Sequence, residues 1–540
     1  MLMAKRGVGS LLRLEQIARV LAEYELFHWL DVLELKGYLP FHRRRKVHTF
    51  DTQPKTLRAA FERLGGAFLK LGQVLALRPD LVGSEYSREF EKLLAAVPPE
   101  SWESIVKTIE NAAPKGLSTF QQINRSPIAS GSIAQVHEAR LPDGTRVALK
   151  IRRQNAPDQF ANDIHLMEML ARRYTARHGT AVWDAVAVVE EFKQYTEREL
   201  NLQHELRNMQ VFAQNFSGST VVHIPKVYPE LSSEALLVME YVEGERLLNL
   251  RQEQSVQRRK RIVRQIVDMA YQQLFLDGFF HADLHAGNIF VERQKIALLD
   301  FGIVGYVDRE LKEQLLALFR VLAMGDIAGT AEVLRRLHQG EEPNMPMLRE
   351  GLYFALREYY QQSLSNIPVG KVLLECIDTA RRARLRLPAQ LVLFAKSIVT
   401  LEGVCAAIDP EFNVVASAKP FLRKMERRAF SSENIARRLK NSTLQGMRAL
   451  AELPNFTRRL EQHFRTLDAR IIDIDETFGR ATQGVKRAAQ LLAAAILLAA
   501  VLGASALLLR TAWYTEAVLL VGTATSSILF ITIVWIWKKL

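Results

Sequence analysis

The sequence contains very little cysteine. Only Cys376 and Cys405 occur among the 540 residues, and neither belongs to a CxxC pair. This scarcity excludes a zinc ribbon and a disulfide framework, because both need several cysteines at close spacings. A chain with so few thiols and no expected disulfide is typical of a reducing compartment.

The basic segments lack aromatic residues. The formal net charge is +13, and its densest clusters are RRRK (43–46), RRKR (258–261) and RRARLR (381–386). None has interleaved aromatic side chains on which bases could stack. We therefore predict no nucleic-acid partner. Solvated helix faces or contact with an anionic membrane account for the excess charge.

Charge is absent from two long segments near the C-terminus. The runs LLAAAILLAAVLGASALLL (491–509) and AVLLVGTATSSILFITIVWIW (517–537) contain no charged residue. Each approaches the ~20 residues that cross a ~30 Å hydrocarbon core, and basic flanks mark the cytoplasmic side. We predict a two-helix transmembrane anchor with the bulk of the chain in the cytoplasm. The first 20 residues are interrupted by charges and predict no signal peptide.

Apolar periodicity predicts the other elements. A stripe of apolar residues predicts one helix over 55–77. Short apolar runs predict strands at TRVALKI (145–151), ALLVMEYV (235–242), NIFV (288–291) and KIALLDF (295–301). Helices are predicted near 159–178, 182–213 and 256–279, and again from about 305 to 429. The predicted segments are a helical extension (1–115), an α+β domain (116–429), a basic helical linker (430–487) and the anchor (488–540).

A loop of small residues precedes the strand that ends in Lys150. Such a loop lets backbone N–H groups approach phosphates, and a lysine on the next strand can neutralise the α- and β-phosphates of ATP. The predicted nucleotide-binding residues are Ile128, Ala129, Ser130, Gly131, Ser132, Ile133, Ala134, Gln135, Val136 and Lys150. Taken alone, this pattern is weak, because small residues near one lysine are common.

The segment HADLHAGN supplies a second element. Asp283 and Asn288 have the Asp-x4-Asn spacing of a kinase catalytic loop. Asp300, in a DFG triplet after an apolar strand, is the third element and predicts a Mg²⁺ ligand together with Asn288. The three elements follow kinase order, which is far more specific than any one of them. They predict Asp283 as the base-like catalytic residue and ATP and Mg²⁺ as cofactors.

The glutamate partner of Lys150 and the roles of the two histidines in HADLHAGN each have more than one interpretation. A glutamate from an intervening helix should pair with Lys150, and the stretch 197–205 offers Glu199, the first choice, and Glu205. His281 and His285 have the i, i+4 spacing of a zinc-hydrolase helix. However, Ala282 stands where that motif has its general base, and the following Gly and Asn favour a loop. We therefore expect His281 to have a structural role, braced against the loop, and His285 to be oriented by that loop.

These motifs resemble those of the UbiB family of atypical kinase-like proteins, and the resemblance extends from about residue 10 to the C-terminal hairpin. Its most specific signature is KxGQ, here Lys70-Leu71-Gly72-Gln73. The resemblance implies a bilobal protein-kinase-like fold in which Lys70 and Gln73 regulate the site by packing over the cleft and excluding protein substrates. Gly131 stands where the family usually has alanine, and Asn201 where relatives carry aspartate. The resemblance also implies that this chain is located in a bacterial inner membrane.

The resemblance implies a membrane-anchored ATPase that supports ubiquinone biosynthesis. Its partners would be anionic lipid, polyprenyl quinone precursors and pathway enzymes. The sequence does not decide whether the protein forms a homodimer. One alternative is a genuine protein or lipid kinase, which would need an open substrate groove. Another is a scaffold that binds ATP without turnover. Retention of Asp283, Asn288 and Asp300 disfavours the scaffold, because an inactive site need not keep its metal ligands.

Overall fold

The computed structural model describes residues 2–38, 53–93, 98–178, 184–253, 255–339, 343–360, 368–412 and 417. Residues 1–429 cluster into one compact unit and residues 430–540 into a second. The predicted linker (430–487) and the predicted anchor (488–540) lie outside the described residues.

Helices precede and follow a central region of strands. The N-terminal helices are α1 (Leu2–Glu23), α2 (Phe27–Val32), α3 (Pro54–Leu64), α4 (Gly66–Ala76), α5 (Pro79–Val82), α6 (Ser84–Phe90) and α7 (Trp102–Ala112). The middle helices are α8 (Ala156–His178), α9 (Ala185–Leu200), α10 (Leu202–Asn215) and α11 (Val256–Tyr271). The last described helices are α12 (Arg309–Ala323), α13 (Ile327–Leu337), α14 (Met345–Tyr360), α15 (Val369–Arg382) and α16 (Ala389–Ile408).

The strands form three sheets. They are β1 (Gln122–Ile123), β2 (Ala129–Ser130), β3 (Ala134–Arg140), β4 (Arg146–Arg152), β5 (Val222–His223), β6 (Leu236–Glu240), β7 (Glu245–Arg246), β8 (Phe279–His281), β9 (Ile289–Glu292), β10 (Lys295–Leu298) and β11 (Val304–Tyr306). One sheet has the order β1-β3-β4-β6 with β2 on β3, another the order β5-β10-β9-β7, and β8 pairs with β11. The predicted strands at 145–151, 235–242, 288–291 and 295–301 are therefore confirmed.

The two faces of the first sheet point into different cores. Val147, Leu149 and Ile151 of β4 pack on one face with Ile105 and Ile109 of α7. Ala148 faces the other way and joins the core that contains α10. Because side chains alternate along a strand, Lys150 shares the face of Ala148. The alternation thus aims Lys150 at α10 rather than at α7.

Helix α16 lies at the centre of the mostly helical part of the chain from β7 onward, which is called the helical lobe below. Val392, Phe394 and Ala395 are fully buried, and Phe394 contacts the rings of Phe275 and Phe280. Among the described residues, α16 is the one helix long and apolar enough to cross a membrane, but 61% of its apolar window is buried inside the protein. Its apolar character therefore has a sufficient explanation in core packing.

The predicted helix over 55–77 is wrong in one respect, because the chain breaks at Gly65. Helix α3 ends there with φ +62°, and Gly66 follows with φ +52°. This left-handed backbone is accessible to glycine at little cost and terminates helices. A Cβ at Gly66 would lie 3.0 Å from Gln159 of α8, so the break also permits close packing. The apolar stripe continues across both helices.

The predicted helix over 182–213 is also two helices. Asn201 has extended backbone (φ −104°, ψ 99°), and its side chain accepts a hydrogen bond from the Gln203 N–H at 3.0 Å. Asparagine is a preferred N-cap because its side-chain oxygen satisfies a free N–H of the first turn. Helix α9 therefore ends before α10 begins in a new direction. This break separates the surroundings of Glu199 from those of Glu205.

Candidate active site

Lys150 lies at the centre of a charged cluster formed with Glu205 of α10 and Asp300 of the DFG triplet, and the space beside this cluster is called the cleft below. Its Nζ donates to both carboxylate oxygens of Glu205, at 2.8 and 2.7 Å, and to Asp300 Oδ1 at 3.1 Å. Burial opposes the charge on Lys150, but the two carboxylates outweigh it and raise the pKa of the ammonium. Burial also raises the pKa of Glu205, against the opposing effect of Lys150. Lys150 is therefore a fixed cation beside the exposed carboxylate of Asp300.

The first-choice partner of Lys150 was wrong. Glu199 pairs instead with Lys70 of the KxGQ segment, and both of its oxygens lie within 2.7 Å of the Lys70 Nζ. The cap at Asn201 explains the exchange, because it redirects the chain between the two glutamates. Glu205, one turn into α10, reaches Lys150, whereas Glu199, at the end of α9, faces α4.

The KxGQ segment lies on α4 and contributes to the same cluster. The Lys70 side chain is buried, with 9% exposed, and its charge helps to lower the pKa of Asp300. Gly72 lies against Phe61 and Leu93, where a Cβ would approach a Leu93 methyl to 2.3 Å. Gln73 is half-buried on the same helix. Helix α4 therefore brings Lys70 to the cluster around Asp300, and the regulatory role of Lys70 and Gln73 stays a prediction.

The small-residue loop is a tight β-hairpin. Gly131 N–H donates to Ala134 C=O at 2.9 Å, and Ala129 and Ser130 pair with Val136 and Gln135. Val136 lies directly opposite Lys150 across the β3–β4 pair, so both side chains face the cleft. The side chain of Gln135 is buried on the opposite face of β3, because side chains alternate along a strand. It accepts a hydrogen bond from Glu100 N–H at 2.9 Å.

Arg153 holds this hairpin in place through hydrogen bonds from its guanidinium. Its guanidinium donates to Gly131 C=O at 2.9 Å, to Ser130 Oγ at 2.8 Å and to Pro98 C=O at 2.8 Å. A Cβ at Gly131 would make only ordinary contact with Ala134 C=O at 3.4 Å. Alanine, the residue that the family resemblance implies at position 131, would therefore fit there. No local sequence pattern marks Arg153 for this role.

The HADLHAGN segment is a loop braced by His281. His281 is fully buried, and its Nδ1 accepts from the Asp283 N–H at 3.2 Å. Its Nε2 therefore carries the proton and donates to Leu299 C=O at 3.1 Å. Burial lowers the pKa of His281, so the ring stays neutral. The predicted structural role of His281 is confirmed.

Asn288 and His285 complete the loop. The Asn288 amide donates to Asp283 C=O at 3.1 Å, which leaves its side-chain oxygen as the atom that can bind a cation. His285 Nδ1 accepts from Gly287 N–H at 2.9 Å, and a Cβ on Gly287 would lie 2.7 Å from that ring. The residues between β8 and β9 are not helical, so the i, i+4 zinc arrangement is absent from this described segment.

Asp300 occupies strained backbone at the open side of the cleft. Its φ is +56°, in the left-handed region that asparagine and aspartate tolerate better than most residues. Lys150 lowers the pKa of Asp300 and keeps it ionised. The side chain remains 55% exposed. Asn208 of α10 supports the triplet by donating to Phe301 C=O at 2.8 Å, a contact that sequence inspection missed.

The side chains fit a nucleotide with one magnesium ion. The described residues contain no cluster of three or more His, Cys, Asp or Glu side chains that would hold a metal by itself. Magnesium does not need one, because it is commonly held by one or two carboxylates together with substrate phosphates. Asp300 and Asn288 offer oxygen ligands of that kind, and Lys150 offers a cation for the phosphates. The donor set is therefore suited to phosphate chemistry.

A histidine bridges the end of β6 and the sheet of the helical lobe. His223 Nδ1 lies 2.6 Å from Glu292 Oε2, and its Nε2 lies 3.0 Å from Glu240 Oε2. Glu240 also accepts from the Lys226 N–H at 2.9 Å. The hydrogen bond with Glu240, helped by Glu292 and opposed by burial, raises the pKa of His223 to about 9. A protonated His223 therefore ties the two sheets together at neutral pH.

This bridge predicts a loss of stability at alkaline pH. The pKa of His223 is about 9 in the folded protein against 6.5 ordinarily, so its contribution is complete below about pH 6.5 and disappears as the pH rises through 9. We expect on the order of 1 kcal/mol, because solvent screens a half-buried pair. Chemical denaturation at several pH values should give a flatter profile for His223→Gln than for the wild type. His165→Gln, an exposed control, should keep the wild-type slope, and an equal slope in His223→Gln would contradict the prediction.

Comparison with known proteins identifies the family. The ABC1 atypical kinase-like domain matches residues 92–334, and the UbiB helical domain matches residues 353–413. A protein of Aeromonas hydrophila named probable protein kinase UbiB is 32% identical over 430 residues, covering 76% of this chain and 78% of that one. A protein of Cellvibrio japonicus with the same name is 32% identical over 470 residues, covering 83% of each chain.

A solved structure also matches part of the chain. The complex of Rv3197 with erythromycin from Mycobacterium tuberculosis superimposes with a TM-score of 0.46 at 21% identity, covering 66% of this chain and 92% of that one. The family assignment rests on the sequence matches, which span both the site and the helical lobe. The chain belongs to the UbiB family of ABC1 atypical kinase-like proteins.

Proposed function

We propose that this protein binds Mg-ATP in the cleft and hydrolyses it in support of ubiquinone biosynthesis. The observation that carries the proposal is the position of Lys150, which is held by Glu205 at 2.7 Å and by Asp300 at 3.1 Å. A protein kinase uses a lysine–glutamate pair and a DFG aspartate to hold the phosphates and the metal. The same groups meet here, and Asp300 faces the open side of the cleft.

Each residue has a defined task in this proposal. Lys150 would contact the α- and β-phosphates, and Asp300 and Asn288 would hold the metal. Bound magnesium would neutralise charge on the phosphates. Asp283, whose carboxylate is 33% exposed, would orient the attacking water. His281 keeps Asp283 in place through the Asp283 N–H.

The lipid side of the proposal rests on the sequence and on the relatives. The predicted anchor (488–540) would hold the cleft beside the cytoplasmic face of a bacterial inner membrane, near polyprenyl quinone precursors and pathway enzymes. Two of the basic clusters attract anionic lipid less strongly than their composition suggests. Arg258 pairs with Glu253, and Arg381 and Arg382 pair with Asp378. Charges already paired within the protein attract anionic lipid less strongly.

A protein or lipid kinase is the second candidate function. The partly exposed carboxylate of Asp283 favours it, because the same oxygen that orients water can accept a proton from a substrate hydroxyl. The relatives in Aeromonas and Cellvibrio are named probable protein kinases. The two functions differ only in the group that receives the phosphoryl group.

The test follows the γ-phosphate of labelled ATP. Full-length protein in anionic vesicles would be incubated with Mg²⁺ and γ-labelled ATP, with Asp300→Asn as the inactive control. We expect free phosphate whose release rises with lipid and disappears in the variant. Label on protein or lipid would establish the kinase function instead. If release does not depend on Asp300, the ATPase proposal is wrong and a non-catalytic scaffold remains.

A further inference from the structure

A side chain of α10 holds the backbone immediately after Asp300. The amide N–H of Asn208 donates to the carbonyl oxygen of Phe301 at 2.8 Å. Phe301 is fully buried, and a buried carbonyl group is costly to leave without a donor. The two residues are 93 positions apart in the chain, so only the packing of α10 brings the donor to this carbonyl.

The backbone that this hydrogen bond holds is strained. Asp300 has φ +56°, and a residue of this kind stays in the left-handed region only where its surroundings fix it there. On one side, His281 Nε2 donates to the carbonyl oxygen of Leu299 at 3.1 Å. On the other side, Asn208 donates to the carbonyl oxygen of Phe301. The two hydrogen bonds therefore fix the chain before and after the strained aspartate.

Ring packing fixes the same stretch, but it does not set the direction of the carbonyl group. The Phe301 ring lies 5.0 Å from the ring of Phe212 on α10 and 5.5 Å from the ring of His281, measured between centroids. Burial of an apolar ring is non-directional, whereas a hydrogen bond requires a defined angle at its acceptor. The contact from Asn208 therefore sets the orientation of the backbone that follows Asp300.

One face of α10 carries these contacts together with the partner of Lys150. Glu205, Asn208 and Phe212 stand at i, i+3 and i+7, which places them on the same side of the helix. Glu205 accepts a hydrogen bond from the Lys150 Nζ at 2.7 Å, one turn before Asn208 reaches Phe301. A single helix thus fixes both the lysine proposed for the phosphates and the backbone of the carboxylate proposed for the metal.

We propose that Asn208 is a positioning residue for the metal site, and that its hydrogen bond keeps Asp300 in the conformation that binds magnesium. The inference rests on the proposed function, because it requires the Asp300 carboxylate to hold the metal. Without the donor, Asp300 can relax toward an ordinary backbone conformation, so the fraction of protein competent to bind the metal falls. The apparent dissociation constant rises in inverse proportion to that fraction. The Lys150–Glu205 pair stays in place, so nucleotide affinity without metal is unchanged.

The test measures nucleotide binding with and without the metal, using full-length protein in lipid nanodiscs. Calorimetry would give the affinity for a non-hydrolysable ATP analogue in Mg²⁺ and again in EDTA. We expect Asn208→Ala to bind the analogue about tenfold more weakly in Mg²⁺, as for the loss of one hydrogen bond together with the release of backbone strain. Its affinity in EDTA should stay within about twofold of the wild type. Gln210→Ala, on the exposed face of α10, is the matched control and should leave both affinities unchanged.

A double variant tests whether Asn208 acts through Asp300. In an Asp300→Asn background, Asn208→Ala should cause no further loss of affinity in Mg²⁺, because the carboxylate that it positions is already absent. Additive losses, equal weakening in Mg²⁺ and in EDTA, or no weakening at all would overturn the role of Asn208 and leave the ATP site intact. Wild-type protein that binds the analogue in neither condition would overturn the proposed function and the inference with it.

Hydrogen–deuterium exchange gives a second readout that needs no nucleotide. We expect faster exchange over residues 300–306 in Asn208→Ala and unchanged exchange in β3 and β4, because only the first stretch loses a contact. Unchanged exchange over residues 300–306 would contradict the proposed role. The thermal midpoint reports whether the variants fold, and Asn208→Leu, which keeps the side-chain volume, carries the same comparisons if the alanine variant does not fold.

Discussion

Asp300→Asn is expected to reduce magnesium-dependent ATP turnover by on the order of 10²- to 10³-fold, as when a group that stabilises developing charge is removed. The substitution keeps the shape of the side chain and removes its negative charge. The carboxylate is the open anionic group beside Lys150, so its loss weakens metal binding and phosphate positioning together. Steady-state phosphate release at saturating and subsaturating Mg²⁺ would measure the effect.

The backbone makes asparagine the right replacement. Asp300 has φ +56°, and asparagine is among the residues that tolerate this region, whereas alanine would add strain. Lys150 keeps Glu205 as a partner in the variant, so the thermal midpoint should stay close to that of the wild type. Asp158→Asn, exposed on α8, serves as the matched control. Turnover in Asp300→Asn within threefold of the control would show that Asp300 does not take part in the reaction.

Glu205→Gln is expected to lower kcat/KM for ATP by about 100-fold, which corresponds to about 2.7 kcal/mol for two charged hydrogen bonds. Glu205 holds the Lys150 Nζ through both oxygens, at 2.7 and 2.8 Å. Glutamine retains one acceptor but lacks the charge and presents an N–H₂ group to the ammonium. Lys150 would then be drawn toward Asp300 and away from the inner phosphates.

Glu199→Gln is the matched comparison for this prediction. It removes the same charge from the neighbouring helix, where the partner is Lys70 rather than Lys150. We expect a smaller loss, within about tenfold, because the Lys150–Glu205 pair remains intact. A larger effect from Glu199→Gln than from Glu205→Gln would contradict the pairing and restore the glutamate that the sequence favoured.

The kinase order of the motifs could be predicted because it depends on chain order and local chemistry. Lys150 on a strand, the Asp283–Asn288 loop and Asp300 after a strand all carry local signals. Short apolar runs predicted the two strands between Asp283 and Asp300, and β9 and β10 form there as an antiparallel pair. The predicted anchor (488–540) depends on composition alone and stays a prediction, because it lies outside the described residues.

Helix ends were predicted less well than helices. Periodicity identified both helical regions but not the breaks at Gly65 and Asn201. An apolar stripe can continue across a short break, so the pattern of residues does not reveal the change in direction. The break at Asn201 had the larger consequence, since it decides which glutamate meets Lys150.

The sequence by itself determined the inventory of the site: a lysine, two acidic groups and an amide in kinase order, with two glutamates available nearby. Only the tertiary structure decided that Glu205 serves Lys150 and that Glu199 serves Lys70. The reason is physical: chemistry belongs to a side chain, whereas partnership depends on distances set by the packing of α4, α9 and α10, which no local stretch encodes.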